Sequence, residues 1–255
     1  MADAPDLFRL DGRVAVVTGA SSGLGVAFAV ALAQAGADIV LAARREDRLA
    51  ETKAAVLATG RSALAVGTDV ADPAQCTRLI ERAMTEFGQV DVLVNNAGIG
   101  SGTPALRETP EQFTRVIDVN LNGAYWMAQA FGRAAAPGST VVNLGSILGA
   151  TTAGLPHAAY AASKSAIAGL TRDLAAQWTP RRGIRVNCLA PGFFPSEMSD
   201  SYPAGYLDRV AAQRTLMGRL GDPVELAATL IWLVSPASGY VTGQTIYVDG
   251  GVTIT

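Results

Sequence analysis

The sequence predicts an α/β fold, a doubly wound, seven-stranded parallel sheet flanked by helices, built by residues 1–255 as one domain. Three observations point there. Seven short runs rich in Val, Ile and Leu recur along the chain, and the first six are each followed by a segment long enough for a helix. Near-continuous apolar strands alternating with helices indicate a parallel sheet covered on both faces. Hydrophobic residues make up 49% and charged residues 16%, with a mean hydropathy of +0.26. That is enough apolar surface for a full core and too much for a disordered chain. No repeat, low-complexity tract or linker rich in Pro, Gly or Ser divides the chain.

The first strand, RVAVVT (13–18), runs into TGASSGLG (18–25) and a helix over 24–35. Gly19, Gly23 and Gly25 supply turn conformations and leave no Cβ between backbone and ligand, while Ser21 and Ser22 add hydroxyls and Leu24 opens the helix. A helix start reached through such a loop faces a pyrophosphate with free N–H groups and a positive dipole end. A tight strand-to-helix turn would also use these glycines. The second strand, DIVLAA (38–43), ends in Ala43, Arg44 and Arg45. The third, ALAVGT (63–68), precedes Asp69 and Val70, and the fourth, DVLVNN (91–96), runs into NNAG (95–98).

Helical patterns then cover 110–134, with Asn120 inside DVNLNG. The fifth strand, STVVNL (139–144), is followed by Gly145 and Ser146. A helix from about Ala158 to 178 carries YAASK (160–164), which puts Tyr160 and Lys164 one turn apart on one face. An ordinary amphipathic helix with a surface lysine has the same spacing. The sixth strand, IRVNCLA (184–190), ends at Pro191 and Gly192, on the carboxyl edge where open parallel sheets bind ligands. The stretch 193–221 is longer than an ordinary connection, carries Pro195, Pro203, Gly205 and Gly218, and predicts a substrate lid. TIYVDG (245–250) is the last strand.

TGASSGLG, NNAG, Asn120, Ser146, YAASK and the PG at 191–192 together resemble the short-chain dehydrogenase/reductase family, in its order and spacing, from about residue 8 to the end. GRLGDPVELA (218–227) and TGQTIYVDGG (242–251) look like its single-domain branch of 3-oxoacyl-acyl-carrier-protein reductases and gluconate or polyol dehydrogenases. The resemblance implies a Rossmann-type, NAD(P)-binding oxidoreductase acting on CH–OH donors. It implies that Asp69 and Val70 meet the adenine, and that Asn96, Ala97 and Gly98 lie beside the adenosine ribose. It also implies that Lys164 binds the nicotinamide ribose and that Phe194 and Ser196, beyond Pro191 and Gly192, contact the carboxamide. Phe194 stands at an aliphatic position of the family, Ser196 at a threonine, and Gly145 where many members have serine. Phe193 and Phe194 are equally readable as core.

At the end of the second strand an Asp or Glu takes the ribose 2′-hydroxyl of NAD. Ala43 stands there, and Arg44 and Arg45 suit a 2′-phosphate. Cations just before a helix start also sit at the unfavourable end of its dipole, which an anion relieves. NADP(H) is therefore favoured and NAD(H) remains possible. Pairing of these arginines with Glu46 or Asp47 is the plainer explanation.

The resemblance casts Asn120, Ser146, Tyr160 and Lys164 as a catalytic tetrad. Hydride transfer to a ketone needs a proton donor, and the reverse needs a base. Lowering the tyrosine pKa by about 3 takes about 4 kcal/mol, close to the worth of one positive charge about 4 Å away at an effective dielectric near 20. Lys164, helped by the charge of an oxidised nicotinamide, is expected to lower the phenol. Ser146 is expected to bind the substrate oxygen, or else to be a turn hydroxyl. Asn120 is expected to hold a relay water, or else to be a buried amide pinning a helix.

His157, the only histidine, is readable as bystander or as substrate contact, and Met198, Tyr202, Tyr206, Leu207 and Met217 as an apolar pocket under the lid. The expected partner is a small carbonyl or alcohol. A net charge of −2 argues against nucleic acid as a ligand. An acyl-carrier protein finds few cations: only Arg133, Arg172, Arg181 and Arg182 fall near the right helix ends. Cys76 and Cys188 form no metal-ligand or CxxC pattern, so no metal is expected. With no signal-peptide pattern in MADAPDLFRLDG and no apolar run of membrane length, a cytoplasmic protein is expected. The resemblance implies a homotetramer assembled through the helices at 110–134 and 158–178 and the carboxyl-terminal segment.

Overall fold

The structure, a computed structural model, describes residues 3–195 and 202–255. Seven strands form one parallel sheet in the order β3-β2-β1-β4-β5-β6-β7. They are β1 Val14–Thr18, β2 Asp38–Ala43, β3 Ala63–Gly67, β4 Val92–Asn95, β5 Thr140–Leu144, β6 Arg185–Pro191 and β7 Thr245–Val248. The helices are α1 Gly23–Gln34, α2 Glu46–Leu57, α3 Pro73–Phe87, α4 Pro110–Ile117, α5 Gly123–Ala134, α6 Ala158–Arg182, α7 Tyr206–Gln213 and α8 Pro223–Val234. This is the Rossmann-type doubly wound arrangement that the apolar runs predict.

Side chains of a strand alternate between its two faces. Ala15, Val17, Ile39 and Leu41 therefore pack with Phe28, Leu32, Leu49, Leu226 and Leu230, beneath α1, α2 and α8. Val14, Val16 and Val40 pack with Leu79, Ile80, Met127, Phe131 and Leu174, beneath α3, α5 and α6. Truncating a fully buried ring such as Phe28 or Phe131 costs about 3–5 kcal/mol. No helix among the described residues is long and apolar enough to cross a membrane.

Strand β1 pairs with β2 on one side and β4 on the other. The winding direction reverses between β1 and β4, which opens a crevice at the strands' carboxyl ends. Most strands are a residue or so shorter than the apolar runs. The last stops at Val248, because Gly250 and Gly251 turn the chain with φ of +63° and +89°.

Two helix boundaries differ from expectation. Helix α6 continues to Arg182, where Gly183 caps it in the left-handed region (φ +64°) and Arg182 donates to the carbonyls of Gly132 and Ala135. The stretch 110–134 is not one regular helix. Between α4 and α5 the winding loosens to a π-turn, Asp118–Asn122, with the Gly123 N–H reaching back to the Asp118 carbonyl. Such one-residue widenings recur at functional sites, and this one carries Asn120.

Candidate active site

The glycine loop between β1 and α1 is fixed from below by β4. Gly19 adopts φ +65°, and a Cβ there would lie 2.9 Å from the Ala97 Cα. At Gly25 a Cβ would run into the carbonyl oxygen of Gly19. The Asn96 amide donates to the carbonyls of Thr18 (2.9 Å) and Gly19 (3.2 Å), and the Thr18 hydroxyl accepts from the N–H groups of Asn96 and Ala97 (both 3.0 Å). Thr52 on α2 donates to the Ala20 carbonyl.

Helices α3, α4 and α8 receive side-chain caps from Asp72, Thr109 and Asp222, whereas Ser22 gives α1 none. The first turn of α1 thus keeps its N–H groups for whatever lies in the crevice. The Arg45 guanidinium reaches Ser22 Oγ (3.1 Å) and Ser21 Oγ (3.4 Å), and Ala43 ends β2 with no carboxylate.

These residues form one end of a cleft of about 880 Å³. Gly19, Ser21, Ser22, Gly23, Leu24, Gly25, Arg44, Arg45, Asp69, Val70, Asn96, Ala97 and Gly98 line it together with Ser146, Tyr160, Lys164, Pro191, Gly192 and Phe194. Asp69 folds into a turn, accepting from the Ala71 N–H at 3.1 Å. Asn120 is buried behind the wall. Ser196 and Met198, expected at the carboxamide and under the lid, lie outside the described residues.

At the other end, Lys164 is buried and donates to the Leu144 carbonyl at 2.7 Å, with its Nζ 5.6 Å from the centre of the Tyr160 ring. Burial pushes the Tyr160 phenol up to about 12, against the effect of a hydrogen bond with Ser146. Burial also brings Lys164 down to about 8. Among the protein's own groups the phenol therefore moves opposite to the expected direction, because removal from water dominates and the ammonium gives a hydrogen bond to a backbone carbonyl; the nicotinamide charge in that expectation is additional to these.

Ser146 also accepts from the Leu148 N–H at 3.1 Å, so its turn-hydroxyl character is present alongside its contact with Tyr160. The Asn120 side chain clamps Ile99, accepting from its N–H (2.8 Å) and donating to its carbonyl (2.9 Å). Its second amide hydrogen goes to Ser163 Oγ at 3.1 Å. The amide therefore pins the β4–α4 loop to α6, and both its donors are engaged within the protein.

Phe193 and Phe194 are both core and wall. Phe194 joins the sheet cluster and covers Gly221, and Phe193 packs against Tyr206 with ring centres 6.1 Å apart. Tyr202 lines the cleft as expected, whereas Tyr206, which donates to the Ala153 carbonyl, and Leu207 pack behind it and do not line the cleft. Met217 does not join this pocket. It is exposed beside Gly250, because the chain after α7 runs outward towards the carboxyl terminus.

The residue reading missed Thr18, Ser163 and a buried chain in which Asn95 donates to Asn143 and Asn143 to Thr171. Two asparagines at the ends of otherwise apolar strands were the available signal.

A family model described as enoyl-(acyl carrier protein) reductase matches residues 19–253. The chain belongs to the short-chain dehydrogenase/reductase family. Galactitol 2-dehydrogenase (L-tagatose-forming) of Cereibacter sphaeroides is 40% identical over 99% of both chains. The 2-dehydro-3-deoxy-D-gluconate 5-dehydrogenase of Dickeya dadantii is 38% identical over 96% of both. A crystal structure of a gluconate 5-dehydrogenase from Burkholderia cenocepacia, in complex with NADP and tartrate, superimposes with a TM-score of 0.92 at 36% identity, covering 99% of this chain and 100% of that one. This short-chain dehydrogenase/reductase is an oxidoreductase of alcohols and ketones that uses NAD(P).

The residues present fit that cofactor. The uncapped start of α1 and the Cβ-free loop suit a pyrophosphate, and the guanidinium groups at the end of β2 suit the adenosine ribose.

Proposed function

We propose that the protein interconverts a ketone and a secondary alcohol with NADP(H) in preference to NAD(H), and that Tyr160 is the general acid and base. The observation that carries this reading is the meeting of Tyr160 and Lys164, one turn apart on α6, with Ser146 in a cleft that has the glycine loop at one end. When bound, the nicotinamide supplies or accepts the hydride.

In the reductive direction Ser146 Oγ and the Tyr160 hydroxyl hold the carbonyl oxygen. The phenol proton passes to that oxygen as the carbon is reduced, so charge develops only where donors already point. With its pKa pushed up to about 12 the phenol is fully protonated at neutral pH, which suits the donor. Lys164, mostly ammonium at pH 7, stabilises the phenolate left behind and anchors the nicotinamide ribose. Asn120 holds the Ile99 wall against α6, and its π-turn is the place from which a relay water would reach Lys164. The segment 193–221 acts as the lid.

The missing acid at Ala43 and the adjoining Arg44 and Arg45 support NADP(H), as does the NADP held by the Burkholderia gluconate 5-dehydrogenase. An NAD-dependent polyol dehydrogenase is the second reading, its polyol substrate supported by the 40% identity to the galactitol enzyme. The ratio of kcat/KM for NADPH over NADH decides between them. A ratio above about 10 is expected, falling about 10- to 100-fold in Arg44→Ala/Arg45→Ala as charge-assisted hydrogen bonds are lost. A wild-type preference for NADH overturns the cofactor assignment. Phe113 on α4 and Tyr125 on α5 are exposed aromatic side chains on the faces expected to pair in a homotetramer, for which light scattering should give about four times 26.3 kDa.

A further inference from the structure

The half of the cleft beyond Tyr160 contains a polar atom that the proposed reaction does not use. His157, immediately before α6, places Nδ1 2.7 Å from the Ser101 carbonyl oxygen. A carbonyl accepts only, so Nδ1 carries the proton and Nε2 presents a lone pair. That Nε2 is buried and has no hydrogen-bond partner among the described residues. An unmatched buried acceptor in a native fold calls for an explanation, and this one belongs to a residue of the cleft wall. The imidazole stands 6.1 Å from the Tyr160 ring and 6.0 Å from Tyr202, whose ring meets it edge-on. Ser101 is itself held by Glu108 at 2.7 Å, so the ring orientation is braced from the β4–α4 loop.

Charge narrows the ligand further. Arg44 and Arg45 are at the glycine-loop end, and Lys164 is tied to Leu144. No other Lys or Arg lines the cleft among the described residues. A carboxylate beside the reacting carbon would find no cation other than Lys164, which is engaged by the Leu144 carbonyl beneath Tyr160.

Resting on the function proposed above, we infer that the substrate is an uncharged carbonyl compound with a hydroxyl on the adjacent carbon, interconverted with a vicinal diol. His157 Nε2 accepts the hydrogen of that hydroxyl while Ser146 and Tyr160 hold the carbonyl oxygen. His157 is thus the residue that determines specificity, and Tyr202 yields its place beside the imidazole to the substrate.

Three probes test this with NADPH: 3-hydroxy-2-butanone, 2-butanone and 2-oxobutanoate. Wild-type kcat/KM is expected to favour the hydroxyketone over 2-butanone by about 10- to 100-fold, the worth of one buried hydrogen bond, with 2-oxobutanoate the poorest. In His157→Leu the hydroxyketone-to-butanone ratio should collapse towards one, through KM. In His157→Gln, which keeps an acceptor, it should stay within about threefold of wild type. As a ratio it needs no assumption about how much active enzyme each variant yields, and the wild-type preference stands without any variant. A wild-type ratio near one, or a ratio unchanged in His157→Leu, overturns the assignment while leaving the oxidoreductase reading intact. Efficient reduction of 2-oxobutanoate overturns the neutrality of the substrate. Failure of the wild type to reduce any of the three overturns the functional proposal itself.

Discussion

The two ends of the cleft are built on different principles. At the end proposed for the nucleotide the exposed surface is backbone, held by side chains that face away from it: Asn96 clasps the Thr18 and Gly19 carbonyls, the Thr18 hydroxyl accepts from the Asn96 and Ala97 amides, and Thr52 clasps the Ala20 carbonyl. At the reaction end the side chains themselves are the surface. Tyr160 and Lys164 have been moved far from their ordinary ionisation by burial, and His157, Phe193 and Tyr202 complete an aromatic wall. The difference teaches that binding geometry here depends on glycine stereochemistry and chemistry depends on desolvation. Each end should therefore fail in its own way.

The sharpest separation is Tyr160→Phe. It removes one hydroxyl, and turnover should fall by about 10³-fold or more, while NADPH affinity followed by fluorescence titration stays within about threefold. An equal loss of both would erase the distinction between the two ends.

Lys164→Met exposes the desolvation directly. The folded pKa of Lys164 is depressed from 10.5 to about 8. Between those values the unfolded chain binds a proton that the native state does not, so stability rises with pH across that window. The buried ammonium is a cost at neutral pH, relieved above 10.5. The stability difference between Lys164→Met and wild type, from urea unfolding, should shift in favour of wild type by up to about 3 kcal/mol between pH 7 and 10.5. Tyr160 works the other way at higher pH, since its raised pKa contributes stability that is lost from about 10 to 12, above most of this window. A pH-independent difference would show that burial does not set the ionisation of Lys164.

A smaller effect comes from Asn120→Ala, which unties Ile99 from α6. A loss of about 1–3 kcal/mol in stability is expected, with kcat reduced more than cofactor affinity. Unchanged kcat would make the clamp purely structural.

Legibility in the sequence follows the same division. Strands, glycine loop and the Tyr160–Lys164 spacing are local patterns, visible because period and composition carry them. The Arg44–Arg45 pair at the end of β2 was equally visible, since it depends only on where a strand stops. What local pattern did not show were partners brought together by the sheet: Thr18 with Asn96 and Ala97, Asn95 with Asn143, Asn120 with Ile99 and Ser163. Nor did it show the direction of the Tyr160 shift, because proximity to Lys164 is written in the spacing and loss of water is not. The π-turn at Asp118–Asn122 was hidden for a related reason: it leaves helical periodicity intact on either side.

The Asn96 clasp has a consequence for how the molecule assembles. Its two ends are 78 residues apart, so the proposed phosphate cradle is complete only once β4 has docked beside β1. A nucleotide cannot template the earlier steps, and its affinity acts on the finished product alone. Added NADPH should therefore slow unfolding without hastening refolding, making the coenzyme a brake on escape from the native state and no guide towards it.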